Sequence, residues 1–275
     1  MRSTPPTVAE RAMLAAAVQA FRLGAAQTLT GWPVLAGRCF FYVLLMIVLS
    51  GLWDKVAAEQ VAGLARSAPV SAFVLYVGAT EWITLSLPAV HLKFEDDIRG
   101  GALETHLLRP KPYLLQAISQ SCGSAFVRML ALGATGLTLL AVSGRAWPSP
   151  EAFVFIAVLG VFGTVVGVLL YALAGLGAFW ARRTLPFQLI VQKLMFVLGG
   201  LFAPISLYPP ILRGIGEGSP FAAHLYWAGI QAIRPSVPLF LAGLAWQALW
   251  LVLLAAACAA LWRAGVRKVL REGAA

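Results

Sequence analysis

Residues 152–181, AFVFIAVLGVFGTVVGVLLYALAGLGAFWA, form an unbroken run without one charged side chain. A helix that crosses a bilayer needs about 20 apolar residues, so this run is long enough to span. The whole chain has the same character, because 60% of its 275 residues are hydrophobic and only 12% are charged. This composition excludes a soluble domain and a disordered chain, and three cysteines do not make a disulfide scaffold. The run therefore predicts an integral membrane protein.

Apolar runs on both sides of this segment extend the prediction to an all-α polytopic membrane protein that forms a single domain over residues 1–275. The chain has room for about six spanning helices joined by short loops. Trp32 and Trp53 bracket the first span, as expected of aromatic residues at the two membrane interfaces. The predicted spans are 33–53, 70–92, 115–142, 152–181, 186–206 and 238–262.

Two segments do not fit a full span. Residues 8–29 are Ala-rich and weakly amphipathic, which favours an interfacial elbow helix; an ordinary cytoplasmic lead-in is the alternative. Within 207–237, the apolar stretch 221–233 is too short to cross the bilayer and lies between Pro220 and Pro235. We expect this segment to be re-entrant.

The basic residues predict the orientation. Lys and Arg number 21 against 11 Asp and Glu, for a net charge of +10, and they are spread over loops rather than in one stripe, which argues against nucleic acid. With the N-terminus inside, 13 of them lie on the cytoplasmic side, five on the other side and three within the spans. The 13 are Arg2, Arg11, Arg22, Lys93, Arg99, Arg109, Lys111, Arg182, Arg183, Arg263, Arg267, Lys268 and Arg271. The positive-inside rule therefore predicts that both termini are cytoplasmic and that 207–237 is extracytoplasmic. Because no signal-peptide cleavage site is apparent, we expect a multi-pass protein of a bacterial-type inner membrane.

The cytoplasmic loop 93–112, KFEDDIRGGALETHLLRPKP, is the first candidate for function. A glycine pair can end the helix that continues from the second span, and a short helix over 102–108 can follow until Pro110 stops it. Leu103 and Leu107 are four residues apart and share a face of that helix. Such an element suits docking onto a cytoplasmic partner, and a solvated loop is the equally open alternative.

Charges inside the predicted spans are the second candidate. Glu81 and Arg128 lie near mid-depth and Lys193 lies nearer the cytoplasmic face, where an unpaired charge costs at least about 2.5–3.5 kcal/mol. We hypothesise a Glu81–Arg128 pair with Lys193 as the competing partner; a structural brace, a lining of the transport path and proton coupling all remain open. Trp246 and Trp250 share a face of the last span, which indicates helix packing, lipid contact or a lining for apolar cargo. No metal site and no catalytic constellation is predicted, because the histidines are scattered.

The string DIRGGALETHLLRP, residues 97–110, resembles the motif that follows the second span in the ABC-2 family of permeases, I-R-x-G-x-L-[DE]-x-x-L-L-R-P. The C-terminal third is similar in layout, with a Gly-Gly-Leu-Phe stretch at 199–202, a re-entrant segment and a basic tail. The matching positions of the motif are Ile98, Arg99, Gly101, Leu103, Glu104, Leu107, Leu108, Arg109 and Pro110.

This resemblance implies the membrane half of an ATP-driven exporter, in which two permease subunits, identical or homologous, pair with two cytoplasmic ATPase subunits. The loop 93–112 would then contain the coupling helix that receives the movement of the ATPase. The residues expected to contact the ATPase are Arg99, Leu103, Glu104, His106, Leu107 and Arg109. Because the chain has no G-x-x-x-x-G-K-[ST] stretch, we expect ATP and Mg²⁺ to bind the partner, and this chain to be non-catalytic and without a cofactor.

Three functions follow as expectations. The first is a permease subunit that moves an amphipathic or apolar substrate outward, since no large cluster of fixed charge lines a span. The second is a secondary transporter or channel that uses Glu81 and Arg128. The third is a membrane scaffold that transports nothing. Co-purification of a P-loop ATPase distinguishes the first from the other two.

Overall fold

A computed structural model describes residues 8–58, 70–100, 112–145 and 147–272. Within these ranges, all of the regular secondary structure is helical. The prediction of an all-α membrane protein is confirmed. The helices are α1 Val8–Thr30, α2 Trp32–Ala58, α3 Val70–Ser86, α4 Val90–Arg99, α5 Tyr113–Ser143, α6 Pro150–Leu176, α7 Leu185–Leu198, α8 Pro210–Glu217, α9 Pro220–His224, α10 Tyr226–Gly229 and α11 Val237–Glu272. Short 3₁₀ turns occupy Gly177–Phe179, Ile205–Leu207 and Ile230–Ala232.

Five helical segments of the described chain are long and apolar enough to cross a membrane. Each overlaps one of the predicted spans, although α11 runs ten residues beyond the predicted end at 262, so that the basic tail is helical too. Their outward faces carry many exposed large apolar side chains, as expected of surfaces that contact lipid. The five segments are Trp32–Val56, Ser71–Arg99, Tyr113–Ser143, Pro150–Phe179 and Val237–Arg271.

The span predicted over 186–206 differs from the structure. Helix α7 ends at Leu198, and its 14 residues reach only about 21 Å, which is shorter than the hydrocarbon core of about 30 Å. The chain turns at Gly200, whose φ of +68° suits glycine. A Cβ at this position would lie 2.8 Å from the hydroxyl of Tyr76, which donates a 2.5 Å hydrogen bond to the Gly200 carbonyl. A sixth spanning helix is therefore not found among the described residues.

The second span is broken rather than continuous. Helix α3 ends at Ser86 and α4 begins at Val90, with Pro88 between them. Because proline has no backbone N–H and its ring clashes with the preceding turn, the helix cannot run straight through this position. Beyond the break, α4 carries the chain to Arg99, seven residues past the predicted boundary at 92.

Helix α6 is the centre of the bundle, and the segment that follows α7 folds back onto it. His224 is fully buried, and its Nδ1 donates a 2.7 Å hydrogen bond to the carbonyl of Gly163 in α6. A Cβ at Gly163 would lie 2.4 Å from the carbonyl oxygen of His224, so only glycine admits this contact. From α11, Gln247 Nε2 donates to the carbonyls of Leu159 and Ala223, at 2.8 and 3.0 Å. The segment after α7 is thus packed against both α6 and α11.

Helix α1 packs along α5 with its backbone in direct contact. A Cβ at Gly24 would lie 1.9 Å from the Gln120 carbonyl oxygen, and one at Gly123 would lie 1.9 Å from that of Phe21. Gln120 also donates a 2.7 Å hydrogen bond to the side chain of Gln27. The two glycines therefore let the helices approach more closely than any side chain would allow.

Candidate functional site

The ends of helices α4 and α5 bracket residues 101–111 and are joined to each other. The Tyr113 hydroxyl, at the start of α5, donates a 2.5 Å hydrogen bond to the Asp97 carboxylate of α4. Asp97 also pairs with Lys93 at 3.2 Å. This contact holds the last turn of α4 against the first turn of α5.

Glu95 connects α4 to the start of α7. Its Oε2 accepts two hydrogen bonds of 2.6 Å from Thr184, one from the backbone N–H and one from the hydroxyl. Arg183 lies 3.5 Å from the other oxygen, Oε1. Glu95 is only 8% exposed and Thr184 is fully buried. A carboxylate at a helix N-terminus is stabilised by the free N–H groups and by the helix dipole, so this contact ties the two helices firmly.

The loop after α6 is held from two sides. Arg99, the last residue of α4, donates a hydrogen bond to the carbonyl of Ala181. From the tail of α11, Lys268 Nζ donates to the carbonyl of Phe179 at 3.0 Å. Movement of α4 would therefore displace the loop and, through the loop, α11.

An aromatic stack joins the same elements. The Tyr113 ring stacks on Trp262 of α11 with centroids 4.9 Å apart, and the edge of Phe94 of α4 meets Tyr113 at 5.9 Å. Phe179 packs edge-on against Trp262 at 5.6 Å. Together with the polar contacts, these rings form what we call the anchor cluster. Its members are Phe94, Glu95, Asp97, Arg99, Tyr113, Phe179, Thr184 and Trp262.

Of the residues predicted to dock on a partner, all but Arg99 lie within residues 101–111. Arg99 is exposed, and its guanidinium reaches the Ala181 carbonyl. The others lie outside the described residues, so their roles stay predictions. They are Leu103, Glu104, His106, Leu107 and Arg109.

The hypothesised Glu81–Arg128 pair is not formed. The described residues contain four ion pairs, and none of them involves Glu81, Arg128 or Lys193. Glu81 is buried in α3 at 4% exposure, whereas Arg128 Nη1 donates a 2.9 Å hydrogen bond to the carbonyl of Leu87. Arg38 donates a hydrogen bond to the carbonyl of Leu85 at 2.8 Å. The two arginines thus satisfy carbonyls that the break at Pro88 leaves free.

The remaining predicted residues lie apart from one another. Lys193 is exposed on α7, with its ammonium 5.5 Å from the Phe196 ring centroid. Trp250 is half-buried and packs against the main apolar core, and Trp246 is half-buried one turn away on α11. Between them Gln247 points inward, which the apolar pattern of the span did not indicate. In the described ranges, no three His, Cys, Asp or Glu side chains could hold a metal ion.

Sequence reasoning missed Thr184 and the role of Glu95. Glu95 belongs to an acidic run in the loop 93–112, but nothing in that run distinguishes it from Asp96, which is exposed. Its partner lies 89 residues away along the chain. Thr184 lies between a pair of arginines and a Leu-Pro sequence, a pattern typical of a helix start, and this is the one signal available.

The opposite end of the bundle has its own polar contact and a pocket. Arg145, in the loop after α5, makes a two-pronged salt bridge to Asp54 near the end of α2, with a shortest distance of 2.6 Å. The Asp54 carboxylate raises the pKa of Arg145 by hydrogen bonding. Beside this pair, an open and mostly apolar pocket of about 290 Å³ lies between α2, α3, α5 and α6, with Tyr42 and Trp82 in its wall.

Comparison with known protein families gives a match over most of the chain. Residues 72–273 match the sequence model of a family described as "ABC-2 family transporter protein". The match covers α3 to α11, including the anchor cluster and residues 101–111. A search of curated proteins finds no significant match.

Proposed function

The chain belongs to the ABC-2 transporter family, and from this premise we propose that it is the permease subunit of an ATP-driven exporter whose ATPase is a separate chain. The anchor cluster is the observation that carries this proposal. It ties the helix before residues 101–111 to the helix after them, and both to α7 and α11, which suits a place in the bundle that receives a push.

In this mechanism, the ATPase docks on residues 101–111 with Leu103 and Leu107 as apolar anchors. Closure of the ATPase pair around ATP and Mg²⁺ displaces the segment. Glu95 passes the displacement to the N-terminus of α7, and Trp262 passes it to α11. The helices then rearrange between inward- and outward-open states.

The other parts of the proposal concern assembly and substrate. A second permease subunit, the same chain or a homologous one, completes the transport path, and the segment 207–237 caps its outer mouth. The substrate is amphipathic or apolar, which is consistent with the apolar pocket beside Tyr42 and Trp82. The positive-inside distribution supports cytoplasmic termini in a bacterial-type inner membrane.

Co-purification from the native host tests the proposal. We expect the affinity-purified chain to carry a P-loop ATPase, identified by mass spectrometry. Leu103→Glu and Leu107→Glu place a charge on the docking face and should remove the ATPase while the permease still elutes as a single species. Leu270→Glu is the matched control, because Leu270 is an exposed leucine on the tail of α11.

Two results would overturn the proposal. One is a purified complex that never contains an ATPase. The other is an ATPase that remains bound to both leucine variants as firmly as to the unaltered chain.

A further inference from the structure

Two arginines from different helices converge on one point of the broken span. Arg38 of α2 and Arg128 of α5 both reach the carbonyl of Leu87, with Nη1–O distances of 3.4 and 2.9 Å. The two Nη1 nitrogens therefore lie within about 6 Å of each other, a separation at which like charges repel.

Helix capping explains why the arginines lie there, but it does not neutralise them. The C-terminal carbonyls of α3 are partial negative charges and attract cations. Each guanidinium has five N–H donors and remains charged at any physiological pH. The described residues supply three hydrogen bonds to neutral carbonyls, from Leu85 and Leu87, and no carboxylate within 4 Å of either arginine. Among the described residues, therefore, neither positive charge is neutralised and N–H donors of both arginines remain unused.

The surroundings of this pair on α2 are exposed and apolar. Both arginines are only half-buried. Val34 and Phe41, one turn before and after Arg38 on the same face of α2, are 65% and 47% exposed apolar side chains. Arg38 lies six residues, or about 9 Å, inside Trp32 at the start of α2. An arginine at this depth extends its long side chain toward the interface or draws head groups and water in to its charge.

We propose that Arg38 and Arg128 bind the phosphate of an anionic membrane lipid, whose acyl chains lie along the exposed apolar face of α2. Arginine guanidinium groups bind phosphate through paired N–H donors, and basic sites between membrane helices hold anionic lipid head groups. The phosphodiester of such a lipid carries one negative charge, which would offset the repulsion between the two guanidinium groups, and its oxygens would accept hydrogen bonds from N–H donors that the carbonyls leave unused. This inference does not depend on the ATPase partnership.

Native mass spectrometry of the purified chain, with its ATPase partner if one is bound, tests the proposal. The sample is equilibrated with equal amounts of phosphatidylglycerol and phosphatidylcholine. We expect phosphatidylglycerol to be retained preferentially. Arg38→Gln and Arg128→Gln should each lower its retention at least tenfold, and Arg38→Lys should lower it less. Arg234→Gln is the matched control, since it removes the same charge from an exposed arginine elsewhere. If the two Gln variants retained as much phosphatidylglycerol as the unaltered chain, the proposed lipid site would be wrong.

A second measurement keeps the proposal testable if those variants fail to fold. The melting temperature of the unaltered chain is followed in detergent with phosphatidylglycerol, phosphatidylcholine or inorganic phosphate. Stabilisation by phosphatidylglycerol alone supports a lipid site. Equal stabilisation by both lipids would refute head-group recognition, and equal stabilisation by inorganic phosphate would indicate a site for the free anion and overturn the lipid proposal.

Discussion

Glu95 is the residue on which the connection between α4 and α7 depends. Glu95 Oε2 accepts from both the N–H and the hydroxyl of Thr184, and its charge strengthens both hydrogen bonds, whereas the oxygen of a neutral amide would make weaker ones. Because Thr184 is fully buried, water cannot compensate for the weaker bonds. The charge therefore contributes to stability here even though the chain as a whole has few charges.

Glu95→Gln should lower the stability of the bundle by about 1–3 kcal/mol, the usual effect when a buried charge-assisted hydrogen bond is weakened. The melting temperature in detergent reports this loss. Asp96→Asn is the control, because Asp96 is exposed on the same helix and should tolerate the change. Equal melting temperatures for the two variants would contradict the role given to Thr184.

At the scale of elements, glycine decides how closely helices pack. The contact of α1 with α5 depends on Gly24 and Gly123, where each backbone touches the opposite carbonyl. Likewise, α6 admits the close approach of the His224 backbone at Gly163. Membrane helices gain little from the hydrophobic effect when they associate, so close packing of this kind supplies much of their affinity.

Gly24→Ala should separate α1 from α5, because the added methyl would lie 1.9 Å from the Gln120 carbonyl oxygen. We expect a lower melting temperature and easier proteolysis of α1. Gly37→Ala in α2 is the matched control: a Cβ there meets nothing within 4 Å, and alanine favours helix by about 1 kcal/mol over glycine. If Gly24→Ala were as stable as Gly37→Ala, the close α1–α5 contact would be wrong.

At the scale of the whole molecule, the anchor cluster links one end of the bundle to its centre. Trp262 touches both Tyr113 and Phe179, so it connects α5, the loop after α6 and α11. A push on residues 101–111 can move these elements together only if the stack holds. Loss of the aromatic stack should therefore leave ATPase binding intact while it prevents the movement of the helices that ATPase binding would cause.

Trp262→Ala should leave the ATPase bound, because residues 101–111 are unchanged. The stability of the permease should fall by up to about 3 kcal/mol. This is the low end of the usual loss for a truncated aromatic side chain, because Trp262 is only half-buried. ATP hydrolysis in the reconstituted complex should lose its dependence on the permease. Trp147→Ala, at an exposed tryptophan, is the control and should behave like the unaltered chain. Normal coupling in the Trp262 variant would exclude the stack as a route of transmission.

The sequence by itself determined the membrane class, the positions of five long apolar helices and the family. These follow from hydropathy and from a contiguous motif, both of which are read along the chain. Only the tertiary structure decided that α7 stops at Leu198, because the contact of Gly200 with Tyr76 bridges residues 124 positions apart. It also decided that Arg128 caps the broken span rather than pairing with Glu81, and that Thr184 receives Glu95. The physical reason is that a charge in a low-dielectric interior takes the polar group that folding brings nearest, and distance along the sequence does not indicate which group that will be.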